Sequence, residues 1–283
     1  MKLASRPHYA DHLAAIDVPD DVALVASYGD LTTVRRTNPK KRIVLMQHGI
    51  GQSYGDRNPA YPGGRDNDAV GLFLTPGEQP AERWRHAYPR ARVEVVGIPL
   101  LDDLPPRIPD GKVTVAVTFH WMTSSRPNMP SMALPYWEKA VLALRDEFTV
   151  IGHGHPRAYH LPRFWAHNGI EYVGDFRAVC ERADVLAFDY TSAGYLFAAT
   201  GRPVVVLNSP DYSRKWDYGL RFWSAADVGT QVESPPDLAP AIRRALERRP
   251  EDVAARETAL DMVYGYRTGA ADRASRAIRE WAS

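Results

Sequence analysis

The chain has 283 residues, 45% of them hydrophobic, which is enough for two ordinary domains or one large one. Its 35 basic and 34 acidic side chains leave a formal net charge of +1, so the overall charge gives no case for a nucleic-acid-binding protein. The one cysteine, Cys180, excludes an internal disulfide framework and is typical of a reducing compartment. No segment, the amino terminus included, is apolar enough for a signal peptide or a membrane span. We therefore expect a cytoplasmic protein and leave open a peripheral contact with a membrane.

Short apolar runs bounded by Gly, Pro or charged residues predict the strands of the first half of the chain. These strands are Val22–Ala26, Ile43–Met46, Gly71–Leu74 and Val93–Val96. A helical pattern over Pro80–Tyr88 lies between the last two strands and indicates a β–α–β order. Gly97–Gly111 follows with four prolines and two glycines. Because such a composition is unfavourable for a helix or a central strand, we place a domain boundary in this segment.

The second half repeats the alternation of strands and helices. The predicted strands are Lys112–Phe119, Phe148–Ile151, Gly169–Val173, Val185–Phe188 and Val204–Leu207. The predicted helices are Pro135–Asp146, Phe176–Glu181, a stretch after Ser192, and two or three between Asp237 and Trp281. This pattern predicts an α/β protein with two Rossmann-like domains that face each other across a cleft. The first domain is residues 1–108. The second is residues 109–283 and carries the C-terminal helices. A single large doubly wound domain is the alternative.

Polar residues follow four of the predicted strands, and this is where parallel sheets bind ligands. The first group, His48 and Gly49, follows Ile43–Met46. A histidine could remove a proton near neutral pH, and a glycine permits unusual backbone angles and close approach of a ligand. A loop histidine bonded to a nearby carbonyl is the alternative interpretation.

The second group is the sequence GHGHPR, residues 152–157, after Phe148–Ile151. His155 and Arg157 could bind a pyrophosphate, since arginine offers a planar fork of donors. The spacing of His153 and His155 also invites a metal site, but no Cys or Glu lies at ligand spacing. We therefore interpret the glycines as part of a tight phosphate loop and expect neither a metal nor a cofactor.

The third and fourth groups follow Val185–Phe188 and Val204–Leu207. In the third, Asp189 ends a strand, and Thr191 and Ser192 stand where a helix begins. Helix starts at the carboxyl ends of parallel strands are common phosphate sites, although hydroxyls there also serve as ordinary helix caps. The fourth group contains Asn208 and Asp211, which also fit a simple turn. These five residues are our candidates for donor binding, together with Gly49 and Arg157.

In this order the motifs resemble the CDP-glycerol glycerophosphotransferase family, the teichoic-acid primases and polymerases, which have a type-B glycosyltransferase fold. The family's motifs are matched by His48-Gly49 (HG), Gly97, Pro99 and Asp102 (G-x-P-x-x-D), His155-Pro156 (HP), and Ala183 to Ser192 (AD-x-L-x-x-DYSS). The match covers roughly residues 43 to 225. The chain departs from the family pattern at Leu100, where arginine is usual, and at Gln47, where tryptophan is common.

The resemblance implies transfer of a glycerophosphate, polyol-phosphate or sugar group from a nucleotide-diphosphate donor to an acceptor hydroxyl, in cell-surface polymer or glycan synthesis. The acceptor would be a polyol, a glycan or a lipid-linked saccharide. By similarity, His48 is the base that deprotonates this hydroxyl, and His155 contacts the donor phosphates or stabilises the leaving nucleotide. Thr191 and Ser192 would present hydroxyls to the diphosphate.

Two other functions stay open. A nucleotide-sugar 2-epimerase of the same build depends on several carboxylates in the cleft, and the predicted strand ends offer mainly Asp189. A non-catalytic nucleotide-sugar-binding protein would not need both His48 and His155.

Overall fold

The computed structural model describes residues 1–3, 7–50, 68–121, 133–210 and 227–283. Its strands are β1 (Lys2–Leu3), β2 (Val22–Val25), β3 (Arg42–Met46), β4 (Val70–Thr75), β5 (Arg92–Val95), β6 (Thr114–Phe119), β7 (Thr149–Gly154), β8 (Glu171–Tyr172), β9 (Val185–Phe188), β10 (Val204–Leu207) and β11 (Thr230–Val232). Its α-helices are α1 (Pro7–Leu13), α2 (Tyr28–Thr37), α3 (Glu78–Ala87), α4 (Pro99–Asp102), α5 (Leu134–Ala143), α6 (Leu161–His167), α7 (Phe176–Arg182), α8 (Ala193–Ala198), α9 (Leu238–Leu246), α10 (Pro250–Val263) and α11 (Ala270–Ala282). Among these described residues, no helix is both long enough and apolar enough to cross a membrane.

The chain forms two compact units, each built on its own parallel sheet. The first unit contains Met1–Asp103 and Asp261–Ser283, and the second contains the described residues of 104–260. The carboxyl-terminal residues therefore pack with the first unit, which differs from the expected division into 1–108 and 109–283. The α/β class and the two Rossmann-like units agree with the sequence-based prediction of the fold.

In the first unit, five parallel strands lie in the order β1-β2-β3-β4-β5. Side chains of successive strand residues point to opposite faces of the sheet, so two cores form. On one face, Leu24, Val44 and Leu72 pack with residues of α1 and α11. On the other face, Val25 and Phe73 pack with residues of α2 and α3. Burial on both faces explains why these strands are nearly continuous apolar runs.

Helix α11 is part of the first unit because it carries an apolar stripe. Ala274, Ala277 and Ile278 are buried against the sheet, at the spacing of one helix face. The Asp102 carboxylate accepts hydrogen bonds from the backbone N–H groups of Ala270 (3.2 Å) and Ala271 (3.0 Å), which caps the start of the helix. The aspartate of the G-x-P-x-x-D motif thus has a structural role in this chain.

In the second unit, six parallel strands lie in the order β11-β10-β9-β6-β7-β8. From β6 the chain builds outward through β7 and β8, and it then returns to β9 on the other side of β6. The loops that follow β6 and β9 consequently leave the sheet in opposite directions. In open α/β sheets such a topological switch point opens a crevice at the carboxyl ends of the strands, where ligands bind.

Strand β7 continues through Gly154, so the prediction that Gly152 and Gly154 belong to a loop after the strand is wrong. The glycines are there for packing, because α6 lies directly on the strand. A Cβ atom at Gly152 would overlap the ring of Trp165, and one at Gly154 would overlap the side chain of Leu161. These glycines therefore let α6 approach β7 and do not form a phosphate loop.

We expect Gly152→Ala to lower the free energy of unfolding by about 1–3 kcal/mol, the usual cost of overpacking a core. Trp165 cannot move aside easily, because its side chain is fully buried and its Nε1 donates to the His153 carbonyl at 3.2 Å. Gly29→Ala is the control, since the nearest atom to a Cβ there is 3.9 Å away. Urea unfolding followed by tryptophan fluorescence measures the free energy of unfolding of both variants. Equal stability of the two variants would contradict the packing role of Gly152.

Candidate functional site

Asp189 connects the two loops that diverge at the switch point of the second sheet. Both of its carboxylate oxygens accept from the backbone N–H of His120, at 3.0 Å each, and Oδ1 also accepts from the N–H of Tyr190 at 2.6 Å. The side chain is 3% exposed. Donor binding by Asp189 stays a prediction, and both carboxylate oxygens accept hydrogen bonds from the backbone. Its structural role is to fix the residues that follow β6 and β9.

His120 and Trp121, which follow β6, belong to the same cluster and were not singled out from the sequence. His120 Nδ1 lies 3.1 Å from the carbonyl oxygen of Trp121, and the Tyr190 hydroxyl donates to the same oxygen at 3.3 Å. The His120 ring centroid is 4.7 Å from that of Tyr190 and 4.8 Å from that of His155. The signal available in the sequence was their position directly after a buried strand, the criterion that identified the other four groups.

His155 follows β7 and is partly buried beside His120. Its Nδ1 accepts a hydrogen bond from the backbone N–H of Arg157 at 3.1 Å. A backbone N–H can only donate, so Nδ1 of His155 carries a lone pair, and the proton of the neutral ring is on Nε2. The N–H of the His155 ring is therefore on the side away from the Arg157 backbone.

Arg157 is exposed, and its guanidinium lies over the indole of Trp121, with Cζ 3.9 Å from the ring centroid. This contact brings together the loops after β6 and β7. The predicted donor-binding residues His155 and Arg157 are thus in one cluster with the switch-point residues.

Thr191 and Ser192 precede α8 as expected. Thr191 is buried, and its Oγ1 accepts a weak hydrogen bond from the N–H of Ala193 at 3.4 Å, so its hydroxyl is used partly as a cap. Ser192 is partly buried and its side chain makes no capping hydrogen bond. Gly194 packs closely on the strand before it, since a Cβ there would overlap the ring of Phe188.

Asn208 ties β10 to the strand beside it. Its Nδ2 donates to the side-chain oxygens of Gln231 (3.0 Å) and Glu233 (2.9 Å), and it is 1% exposed. This amide nitrogen is therefore committed to the protein, and the role of Asn208 in donor binding stays a prediction. Asp211, the other candidate after β10, lies outside the described residues.

His48 lies in the first unit, directly after β3. Its Nδ1 is 2.5 Å from the carbonyl oxygen of Ala26, and its ring centroid is 4.3 Å from that of Tyr9. A carbonyl can only accept, so Nδ1 carries the proton and Nε2 of the neutral ring carries a lone pair. Burial lowers the pKa of His48, with the hydrogen bond to Ala26 opposing this effect, so the neutral form dominates near pH 7.

The turn that carries His48 is held by Gln47. Its amide nitrogen donates to the carbonyl of Gly49 at 2.9 Å, and its amide oxygen accepts from Trp84 Nε1 at 3.1 Å. Gly49 is not among the residues with positive φ, so the unusual backbone angles considered for it are not present. Glutamine at position 47 thus anchors the turn to α3.

His153 is separated from His155 because it belongs to strand β7. Its Nδ1 lies 2.7 Å from the Val173 carbonyl, and burial lowers its pKa. Within the described residues, no group of three or more His, Cys, Asp and Glu side chains is arranged to hold a metal ion. Cys180 is also buried, which raises the pKa of its thiol to about 11.

No family model matches the sequence, and no curated protein is similar to it at a significant level. Solved structures are similar in fold. A structure of the wall teichoic acid polymerase TagF, the H444N variant soaked with CDPG, has a TM-score of 0.61 at 13% identity, covering 93% of this chain and 73% of that one. A putative UDP-N-acetylglucosamine 2-epimerase from Listeria monocytogenes has a TM-score of 0.58 at 14% identity, covering 92% and 74%. The S. aureus MnaA–UDP structure has a TM-score of 0.56 at 16% identity, covering 93% and 74%.

At these identities the similarity shows the fold. The chain has the type-B glycosyltransferase architecture of two Rossmann-like units, as predicted. The polymerase and the epimerases match about equally well, so the comparisons do not single out the CDP-glycerol family among enzymes with this fold.

Proposed function

We propose that the protein is a transferase that moves a glycerophosphate, polyol-phosphate or sugar group from a nucleotide-diphosphate donor to an acceptor hydroxyl. The observation that carries this proposal is that two histidines hold their ring proton on different nitrogen atoms. His48 has a lone pair on Nε2, as a general base needs, whereas His155 has a proton on Nε2, as a ligand for phosphate oxygens needs. Transfer from a nucleotide requires one group of each kind.

In the proposed reaction, His48 Nε2 takes the proton of the acceptor hydroxyl as its oxygen attacks the donor. The bond formed joins this oxygen to phosphorus or to the anomeric carbon, and the bond that breaks releases the nucleotide. The electron pair of the broken bond stays on a phosphate oxygen, where His155 Nε2–H and the Arg157 guanidinium donate hydrogen bonds. The proton remains on His48 until it passes to solvent.

The first unit would serve the acceptor and the second unit the donor. Ser192, whose hydroxyl is not used for capping, is the better candidate of the hydroxyl pair for a donor phosphate. We propose teichoic-acid-like polymer synthesis in the cytoplasm as the setting, with CDP-glycerol, CDP-ribitol or a nucleotide sugar as donor. A lipid-linked acceptor would bring the enzyme to a membrane surface.

A 2-epimerase is the second candidate, because solved epimerases share the fold. Epimerases of this build use carboxylates in the reaction. In the described part of the second unit, the carboxylate at the switch point is Asp189, and it holds two backbone N–H groups. This engagement favours transfer over epimerisation.

The test is a thermal-shift series with CDP-glycerol, CDP-ribitol, UDP-N-acetylglucosamine and a GDP-sugar. A ligand at 100 times its Kd stabilises the folded protein by about 2.7 kcal/mol, which raises its melting temperature. We expect a shift with at least one donor, followed by release of its nucleotide when polyol or glycan acceptors are added. No shift with any nucleotide would contradict the donor site, and conversion of UDP-N-acetylglucosamine to its 2-epimer would establish the alternative.

A further inference from the structure

The guanidinium of Arg157 is held in place while its N–H groups remain available. It lies over the Trp121 ring, and none of its side-chain N–H groups makes a hydrogen bond or ion pair with the described residues. Arg42 and Arg273 are also stacked on aromatic rings, but both donate to protein oxygens. Arg157 is therefore a fixed cation whose donors await a partner from outside the described residues.

Trp121 is itself held firmly. Its carbonyl oxygen accepts from His120 Nδ1 and from the Tyr190 hydroxyl, and the backbone N–H groups of those two residues are bound by Asp189. A continuous set of contacts thus runs from the carboxylate at the switch point to the indole, and from the indole to the guanidinium of Arg157.

The missing partner of Arg157 is an anion. The nearest carboxylate of the cluster, Asp189, is buried and engaged with backbone N–H groups. His155 is the neighbouring residue, and its Nδ1 accepts from the Arg157 backbone. The planar fork of arginine donors matches phosphate geometry, so a phosphate is the anion that suits Arg157.

We propose that Trp121 is a positioning residue that holds the Arg157 guanidinium for a phosphate of the donor; this rests on the proposed function. An arginine side chain in solution samples many rotamers, and binding an anion must restrict them. The indole face restricts them beforehand through a cation–π contact, so less conformational freedom is lost when the phosphate binds. Trp121 then acts on the donor through Arg157 without touching it.

The test is a double-mutant cycle on binding, with Trp121→Ala, Arg157→Ala and the double variant. Calorimetry measures Kd for whichever nucleotide donor binds the wild type, and for inorganic pyrophosphate. We expect Trp121→Ala to weaken binding about three- to fivefold, the size of an exposed cation–π contact, and Arg157→Ala to weaken it more. The double variant should bind like Arg157→Ala alone, and Trp121→Phe should recover most of the affinity.

Tyr136→Ala is the control, since this half-exposed aromatic side chain on α5 donates only to the Glu233 carbonyl and should leave Kd unchanged. Additive losses in the double variant, or wild-type affinity in Trp121→Ala, would overturn the inference while the proposed function stands. If no nucleotide binds but pyrophosphate shows the coupling, the positioning role stands and the proposed function falls. Far-UV circular dichroism confirms that each variant is folded.

Discussion

Replacing His48 by alanine is expected to lower kcat by about 10²–10⁴-fold, the range for loss of a general base, while donor Kd changes little. The physical reason is the lone pair on Nε2, which the Nδ1 contact with the Ala26 carbonyl enforces. His48→Gln should be equally inactive, since its amide can donate to Ala26 but cannot take a proton. Steady-state kinetics measures kcat, and calorimetry measures the donor Kd.

The pH profile checks the same assignment independently. Burial lowers the pKa of His48 below its ordinary value of 6.5, and the base must be neutral to act. Log(kcat/KM) should therefore be level near pH 7 and fall on the acid side, with a midpoint below 6.5. A midpoint above 6.5 would argue against His48, as would a loss of donor binding as large as the loss of turnover. His86→Ala, an exposed histidine on α3, is the control and should behave as wild type.

Replacing Asp189 by alanine is expected to lower the free energy of unfolding by about 3–5 kcal/mol. The change leaves the backbone N–H groups of His120 and Tyr190 without their acceptor, and hydrogen bonds to a charged group contribute about 1.5–3 kcal/mol each. Donor affinity should fall as well, because the residues after β6 and β9 lose the group that joins them. Urea unfolding and calorimetry on the same preparations measure both effects.

Asp189→Asn separates the two effects, since an amide keeps one acceptor oxygen of the same size. It should lose about half as much stability as the alanine variant. Asp146→Ala is the control, because this exposed carboxylate on a short turn of helix should matter by less than about 0.5 kcal/mol. Full stability in Asp189→Ala together with lost donor binding would instead make Asp189 a direct ligand.

The sequence was sufficient for the fold where strands are buried on both faces. Val185–Phe188 and Val204–Leu207 are strands with the predicted bounds, because a short uninterrupted apolar run between turn signals is typical of a buried parallel strand. Gly152 and Gly154 misled the prediction, since glycine indicates a turn unless a neighbouring helix needs the space. The packing of α11 on the first unit was also not predictable, because an amphipathic helix does not reveal which sheet it covers.

For the candidate site, sequence order placed His48 and His155 after strands but could not give their proton positions. Those depend on the Ala26 carbonyl and the Arg157 N–H, which are set by the folded backbone. The sequence also could not show that Asp189 and Asn208 hydrogen-bond to neighbouring segments of the protein, because a polar residue after a strand looks the same whether or not it does so. Trp121 was missed because its importance depends on Arg157, thirty-six residues further along the chain.

The position of α11 has a consequence for synthesis of the protein. The face of the first sheet that contains Val44 and Leu72 is covered in part by Ala274, Ala277 and Ile278, which are translated roughly 200 residues later. At about 5–20 residues per second, the ribosome needs roughly 10–40 s to make the chain between them. The second unit can therefore finish folding while the first still exposes an apolar face to chaperones. Cleavage that removes α11 would uncover this apolar face of the first unit.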